Sequence, residues 1–417
     1  MTARSGSPWS TRVGGFLLAE AISAIGSMAT MIAIWAYAAY QYDATASEIS
    51  LFAMAYAAPG VLLGPLTGLV IDRLGPRGTL LGAKTLGIGA SLALISADDF
   101  RTLAVLSTFH GVAAAFSRPA LSSMPPRLVD DEHLARANAL VGLTEQLSIV
   151  LGPVAAGVAI GLFGFTGAFV FDAATYALGI VVLPLVHLRP IVAPVGDGHE
   201  AEPAVPRLRD ALEGWRLVAR SPILRRVVAA SFSVHVLYGT AMLAEPLYVR
   251  DVLERSTSVF AGLQTVFGVF LVLGGLVAAK LGDRMASFGW VALGVVTSGA
   301  TAILYLGTEL LVVAVIGVCL WGVATAIIWG PSRTVLQRSS PAHAHGRVMA
   351  ADMLASNLAM FLVLGLAGVL IELVGVQTAM LGLGLTVMAA GSVLGRADRR
   401  DRATPVLAHV ELDPALI

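Results

Sequence analysis

Charge is what this chain has least of. Asp, Glu, Lys and Arg together make up 13% of its 417 residues, against roughly a quarter in an ordinary soluble domain. That is too little polar surface to wrap a water-soluble body of this size. Neither sign prevails: 27 basic and 27 acidic side chains give a formal net charge of zero, which excludes the basic footprint of a nucleic-acid binder. Cys319 is the only cysteine, so an intrachain disulfide framework and a cysteine-built zinc cluster are excluded. No Gly-rich loop leads into Lys and Ser or Thr, and no His-Glu-x-x-His motif occurs, so neither an ATPase module nor a metal centre is expected. No cofactor is expected either. If the chain moves something actively, its energy comes from an ion gradient.

What fills the chain instead is apolar. Hydrophobic residues make up 57% of it, and the mean hydropathy is +0.81. A membrane-spanning helix needs roughly 20 apolar residues. Twelve stretches qualify: 13–39, 47–71, 79–97, 101–124, 138–162, 165–187, 223–249, 257–280, 287–307, 309–330, 348–372 and 374–395. Lipid cannot satisfy open backbone groups and the connections are short, so the stretches read as helices. They are also too long for the alternating strands of a membrane barrel. Arg4 and Arg12 precede the first run in the manner of a leader peptide, but its length and Glu20 mark it as the first membrane helix.

The chain repeats itself. Asp72-Arg73 closes the second apolar run and Asp283-Arg284 closes the eighth, a separation of 283 − 72 = 211 residues. Pro119 and Pro331 are 331 − 119 = 212 apart, and Arg136 and Arg347 are 347 − 136 = 211 apart. Two six-helix units in parallel repeat are a transporter plan, with the substrate path between them. The expected organisation is a six-helix half over 1–188, a cytoplasmic linker over 189–222, a second half over 223–396 and a cytoplasmic tail over 397–417. The Pro-, Gly- and Glu-rich linker carries an amphipathic piece near Leu208–Val218, expected as a short surface helix. Loop cations sort strongly by side. One side collects Arg4, Arg12, Arg73, Arg77, Lys84, Arg127, Arg136, the arginines from Arg189 to Arg226, Lys280, Arg284, Arg333, Arg338, Arg347 and those from Arg396 to Arg402. The other side holds Arg101, Arg250 and Arg255. The positive-inside rule then sets both termini in the cytoplasm of a cell (inner) membrane.

Charged groups inside apolar runs are the candidate site. Each costs roughly 2.5–3.5 kcal/mol to insert, so it tends to face the bundle interior or a pathway. Glu20 in the first helix can carry a proton, bind a cation or make a plain interhelical contact. Arg118 ends the fourth helix, where it can hold a carboxylate charged or simply snorkel. Glu145 opens the fifth, within reach of Arg118, and Asp172 lies in the sixth. In the second half His235, Tyr238 and Glu245 share one face of the seventh helix by spacing, with Glu245 near its outer, water-reachable end. Gln264 follows in the eighth helix, Trp321 in the tenth, and Asp352 and Asn357 in the eleventh. These are substrate-cavity candidates, and none identifies a ligand. The charged hairpin at 72–77 reads either as a latch between the halves or as a positive-inside anchor.

The stretch Gly68-Leu-Val-Ile-Asp72-Arg73-Leu-Gly75-Pro76-Arg77 resembles the signature of the major facilitator superfamily, with Pro76 where a basic residue is usual. The second-half copy keeps Gly275, Asp283 and Arg284. The loop LVDDEHLARANAL over 128–140 resembles that of the bacterial drug and metabolite exporter branch. Gly152-Pro153 through Gly157 partly resembles the antiporter signature, with Ala156 where a glycine is usual. The resemblance implies an all-α fold of twelve transmembrane helices in two six-helix halves and no enzymatic activity. It implies conformational hairpins at Gly68, Asp72, Arg73, Gly75, Arg77, Asp283 and Arg284, and a coupling role for Arg118. The expected function is proton-coupled efflux of a small amphipathic or hydrophobic organic compound by a lipid-embedded monomer. An uptake carrier for a metabolite or lipid-related solute, and a non-transporting sensor or scaffold, remain open alternatives. A polytopic enzyme would need catalytic polar groups clustered at one membrane depth, and the sequence offers none.

Overall fold

In the computed structural model, residues 11–186, 188, 208–341 and 344–403 are described. Among them the chain is helical, with no strand. The helices are α1 (Thr11–Gln41), α2 (Ala46–Leu62), α3 (Gly64–Ala93), α4 (Phe100–Ser122), α5 (Pro125–Leu128), α6 (Asp131–Val182), α7 (Leu208–Arg220), α8 (Pro222–Leu247), α9 (Thr257–Leu281), α10 (Phe288–Leu306), α11 (Leu311–Arg338), α12 (His345–Val374) and α13 (Val376–Ala403).

Two of these are not single rods. Gly75 (φ 72°) breaks α3 and Gly164 (φ 68°) breaks α6. A side chain at such positive φ would be strained, so glycine is the residue that lets two crossings meet in a one-residue turn. The chain runs helically through Pro153, and the break in α6 falls at Gly164. Nine helices among the described residues are long and apolar enough to cross a membrane. Dividing α6 at Gly164 and adding the 17-residue α2 and the more polar α4 gives the twelve expected crossings. Asp99 caps α4, accepting from the Thr102 N–H at 2.9 Å, and that bond holds its carboxyl below the usual carboxylate range.

Each half is a bundle. In the first, α1 lies along α6, α3 packs between α4 and α6, and α2 rests on α4. In the second, α10 packs on α11 and α13, α11 on α9, and α12 on α8. Two main seams join the halves: the first crossing of α6 against α9, and α2 against α12. These are crossings 5 with 8 and 2 with 11. A shift of six helices turns one seam into the other, as the 211-residue repeat requires. Along α6–α9, Gly157 lies directly against Ala261 and Thr265, the close approach expected of small residues between membrane helices.

The outer wall is apolar. Leu62, Leu162, Val312 and Leu373 are 71–76% exposed, a surface suited to lipid tails rather than water. The amphipathic linker stretch folds as α7, whose Val218 is buried with the core and whose Gly214 lies against the Arg347 backbone at the start of α12. The N-terminus of α1, the 72–77 hairpin, α5 and α7 share one end of the bundle, the hairpin face. The turns after Gln41, Ser96, Val252 and Leu306 form the opposite face.

One charge sits elsewhere than the sequence suggested. Lys84 is no loop cation: it is 1% exposed inside α3.

Candidate functional site

The first half holds its charges in its interior. Lys84 Nζ lies 3.1 Å from Glu20 Oε2 and 3.1 Å from Ser23 Oγ. Room for this long side chain comes from Gly179 of α6, where an added Cβ would sit 2.8 Å from Lys84 Cδ, Cε and Nζ. The ammonium also lies 5.6 Å from the centre of the Tyr176 ring, a cation–π arrangement. A second cluster surrounds Asp172. Its carboxylate meets Ser91 Oγ at 2.8 Å, His110 Nε2 at 2.8 Å and Ser27 Oγ at 3.4 Å. Ser27 Oγ lies 2.9 Å from the Tyr176 hydroxyl, and His110 Nδ1 lies 3.3 Å from the Tyr56 hydroxyl. Asp172 and His110 are fully buried.

These groups border a cavity of about 110 Å³. Glu20, Lys84, Tyr56, Tyr176, Ser27, Arg118 and Glu145 all line it. Arg118 and Glu145 are exposed residues facing the same space, and no ion pair joins them. The charge pair expected between α4 and α6 is therefore open in this structure, and Glu20 pairs with Lys84 instead.

The second half is built differently. Tyr238, Phe267, Trp321, Trp329 and Tyr305 form a run of aromatic contacts with ring centres 5.6–6.5 Å apart. Glu245 is 7% exposed, not at a watery helix end, and accepts from Gln264 Nε2 at 2.7 Å. It was expected near water because Pro246 follows it. In the structure α8 runs on into a π turn over Tyr248–Val252, so Glu245 lies within the bundle. With Tyr238, Trp321 and the first-half residues Ile32 and Pro153 it lines a space of only about 20 Å³. His235 does not join this group. Its Nδ1 lies 2.7 Å from the Ser231 carbonyl, and Asp352 approaches the same segment from α12. Asp352 Oδ1 is buried without a hydrogen-bond partner. Asn357 is exposed.

Side-chain bonds between the halves are spread unequally over the two faces, although each face carries a crevice, the one on the opposite face being about 470 Å³ and bordered by Thr45, Arg250 and Gly375. On the opposite face, Ser47 N–H donates to Glu372 at 2.9 Å, Ser50 Oγ donates to the Leu364 carbonyl, and Arg250 donates to the carbonyls of Ala39 and Ala44 with Asp43 at 3.8 Å. Each of these bonds joins one half to the other. On the hairpin face a crevice of about 460 Å³ opens between Val150 of α6, the end of α9 and the Trp329–Thr334 stretch of α11. Gln146, with its amide turned to suit, accepts from Arg333 at 3.1 and 3.2 Å beside it. In the hairpin itself Gly68, Asp72 and Arg73 are exposed, and Gly75 and Arg77 are half-buried. Asp72 makes no hydrogen bond or ion pair among the described residues. Gly275 and Arg284 of the second copy are exposed, and the side chain of Asp283 lies outside the described residues.

Sequence reasoning missed Lys84, His110, Tyr56 and Tyr176. The signal was available for Lys84: a lone cation between Leu80-Leu81 and Leu86 interrupts an apolar run, which marks an intramembrane charge.

The Major Facilitator Superfamily profile matches residues 16–364 and 248–410. The chain is similar to the MFS-type transporter YfiS of Bacillus subtilis, 24% identical over 90% of this chain and 91% of that one. It is similar to the multidrug efflux pump Tap of Mycolicibacterium fortuitum, 25% identical over 90% of this chain and 93% of that one. It is also similar to the enterobactin exporter EntS of Shigella flexneri, 24% identical over 69% and 67%. Among solved structures, the nucleoside transporter NupG superposes with a TM-score of 0.70 at 12% identity, over 94% of this chain and 99% of that one. An inward-facing, unoccupied bacterial homolog of the human lysosomal transporter Spinster superposes with a TM-score of 0.65 at 16% identity, over 96% and 100%. Both likenesses are of fold.

Proposed function

The chain belongs to the major facilitator superfamily, and from that premise we propose that it is a proton-coupled exporter of small amphipathic or hydrophobic compounds, working by alternating access. The observation that carries this reading is the buried Glu20–Lys84 pair at a cavity, in a molecule whose halves share several side-chain bonds across one face and the Gln146–Arg333 contact beside a crevice on the other. A carboxylate paired with an ammonium inside a membrane bundle is stable in two states. Charged, it is held by Lys84. Protonated, it loses that attraction, and Lys84 keeps Ser23 Oγ and the Tyr176 ring. Such a switch can be coupled to a change in which face is open.

The hairpin face is the cytoplasmic one in this reading, because the loop cations gather there even without Lys84. Both termini then lie in the cytoplasm, and the crevice beside Trp329 and Pro331 opens to that side. The disengaged Asp72 fits this state, since a latch that secures the cytoplasm-closed form should be free when the cytoplasmic crevice is open. Efflux is favoured over uptake by the exporter and efflux-pump relatives. The aromatic lining of the second half suits an apolar or amphipathic substrate better than a sugar.

The test is flux into proteoliposomes of known orientation, with lipophilic dyes and antibiotics as substrates and an imposed pH gradient. Accumulation that collapses with a protonophore is expected in the wild type and is lost in Glu20→Gln. Unchanged rate and pH dependence in Glu20→Gln, at equal abundance, would overturn the assignment.

A further inference from the structure

We propose that the buried His110–Asp172 pair is a second proton-holding site, one layer behind the cavity wall, joined to the cavity by Tyr56 on one side and by Ser27 and Tyr176 on the other. This rests on the proton-coupled reading above and extends it to residues outside the Glu20–Lys84 pair.

On the histidine side the hydrogen bonds fix the direction of the chain. An ionised carboxylate can only accept, so Asp172 takes its bonds from Ser91 Oγ, Ser27 Oγ and His110 Nε2. Ser27 has one hydroxyl proton. It has three acceptors within reach, the Tyr176 hydroxyl at 2.9 Å, the Ser23 carbonyl at 3.0 Å and Asp172 at 3.4 Å, so rotation of one hydroxyl connects the carboxylate with Tyr176. The Nε2 proton of His110 points at Asp172, so in the neutral ring Nδ1 is the acceptor, facing the Tyr56 hydroxyl at 3.3 Å. A proton added to His110 lands on Nδ1. Tyr56 then turns from donor to acceptor, and the imidazolium lies 2.8 Å from a carboxylate. Both protonation states of the pair therefore have complete hydrogen bonding with no movement of the backbone.

Access is built in as well. Tyr56, Ser27 and Tyr176 all line the cavity, while His110 and Asp172 behind them have no exposed surface. The cavity is large enough for a few waters, and Glu20 and Lys84 line it together with both tyrosines. The charged and titratable groups around the pair are Glu20 from α1, Tyr56 from α2, Lys84 from α3, Arg118 from α4 and Tyr176 from α6. A proton on His110 adds a positive charge to an interior that already holds Lys84 and Arg118. Protonation of His110 and neutralisation of Glu20 therefore oppose one another electrostatically, and a proton leaving Glu20 favours a proton on His110.

A merely structural His–Asp bond would be indifferent to Glu20, and the test uses that. Histidine-labelled full-length protein in lipid nanodiscs is titrated from about pH 5 to 9, the range in which imidazole changes charge, and the His110 resonance is assigned by its absence in His110→Gln. The expected result is a His110 signal that passes from neutral ring to imidazolium, at a pH that moves in Glu20→Gln and in Tyr176→Phe. A ring that stays in one form throughout, or that changes at the same pH in all three proteins, would overturn the proposal. In proteoliposomes, His110→Gln and Asp172→Asn should lose at least about tenfold of pH-driven accumulation while keeping substrate exchange without a gradient. Equal loss in both modes marks a structural role and counts against the proposal. Wild-type protein with no pH-driven flux would overturn the exporter reading alone, because the resonance titration decides the relay without transport.

Discussion

The two halves share a fold and a 211-residue repeat, yet they spend their interiors differently. The first half buries Glu20, Lys84, His110 and Asp172 in one connected polar region. The second half packs half-buried Tyr238 with buried Phe267, Tyr305 and Trp321 near Glu245, a carboxylate that has an amide for a partner, while its Asp352 lies apart beside Ser231 and His235. Duplication thus preserved the packing plan, including two equivalent seams, while the side chains facing inward diverged. Under the proposed function, ionic chemistry in one half and an aromatic wall in the other would divide two tasks, holding a proton and accommodating an apolar solute.

The largest break in that contrast is Lys84→Met. It removes the ammonium and leaves Glu20 buried without its cation, an arrangement that costs about 3–5 kcal/mol. Thermal unfolding in detergent should show the loss, and the double variant Glu20→Gln with Lys84→Met should recover most of it, because an apolar replacement of both partners is often neutral. Equal stability of the single variant and the wild type would mean that the pair is not buried as described.

A smaller effect is expected from Gly179→Ala. Its Cβ would meet the end of the Lys84 side chain at 2.8 Å, so this buried chain must shift from the position that places its ammonium on Glu20. We expect about 1–3 kcal/mol of destabilisation, measured by the same unfolding assay. Gly262 in the second half is the matched control, since a Cβ there meets nothing within 4 Å. Gly262→Ala should lie within about 0.5 kcal/mol of wild type.

The seal between the halves gives the next prediction. Arg250→Gln removes the cation that reaches Ala39, Ala44 and Asp43 across the opposite face. Two charge-assisted bonds that are partly exposed should shift the balance of open and closed states by about tenfold, or about 1.4 kcal/mol. A cysteine at Met54, in the α2–α12 seam near Gly365, introduced in a Cys319→Ser background, should label faster from that face in the variant. No change in labelling would remove Arg250 from the seal.

How much of this was legible in the sequence depends on the kind of residue. Apolar length fixed the twelve crossings, because the bilayer imposes a length and leaves few alternatives. Landmark spacing fixed the repeat, but the pairing of crossings 5 with 8 and 2 with 11 was visible only in the packing. Glu20 and Asp172 stood out as charges in apolar runs. Their partners did not, since Lys84 lies 64 residues from Glu20 (84 − 20 = 64) and His110 is 62 from Asp172. Which of two charges meet depends on helix rotation, and rotation is set by small residues such as Gly179 whose role is visible only in packing. Lys84 was misread because a run ending near a charged hairpin makes any cation look like a loop cation. Glu245 was misread because a proline usually marks a helix end, whereas here Pro246 lies inside a continuing helix.

The smallest expected effect is the one that sharpens the comparison most. Glu245→Gln keeps the size of the side chain and keeps an oxygen to accept from Gln264, so its effect on stability should be under about 1 kcal/mol. Its effect on function separates two divisions of labour. If the first half alone handles the proton, Glu245→Gln leaves the pH profile of flux superimposable on wild type while the preference among substrates shifts, because a cationic substrate beside Tyr238 and Trp321 would lose its counter-charge. Glu20→Gln, by contrast, should flatten the pH profile. The measurement is flux against pH for both variants with one cationic and one neutral substrate of similar size. A pH profile altered as much by Glu245→Gln as by Glu20→Gln would show that the proton is shared between the halves, and the contrast drawn from their interiors would then be one of packing only.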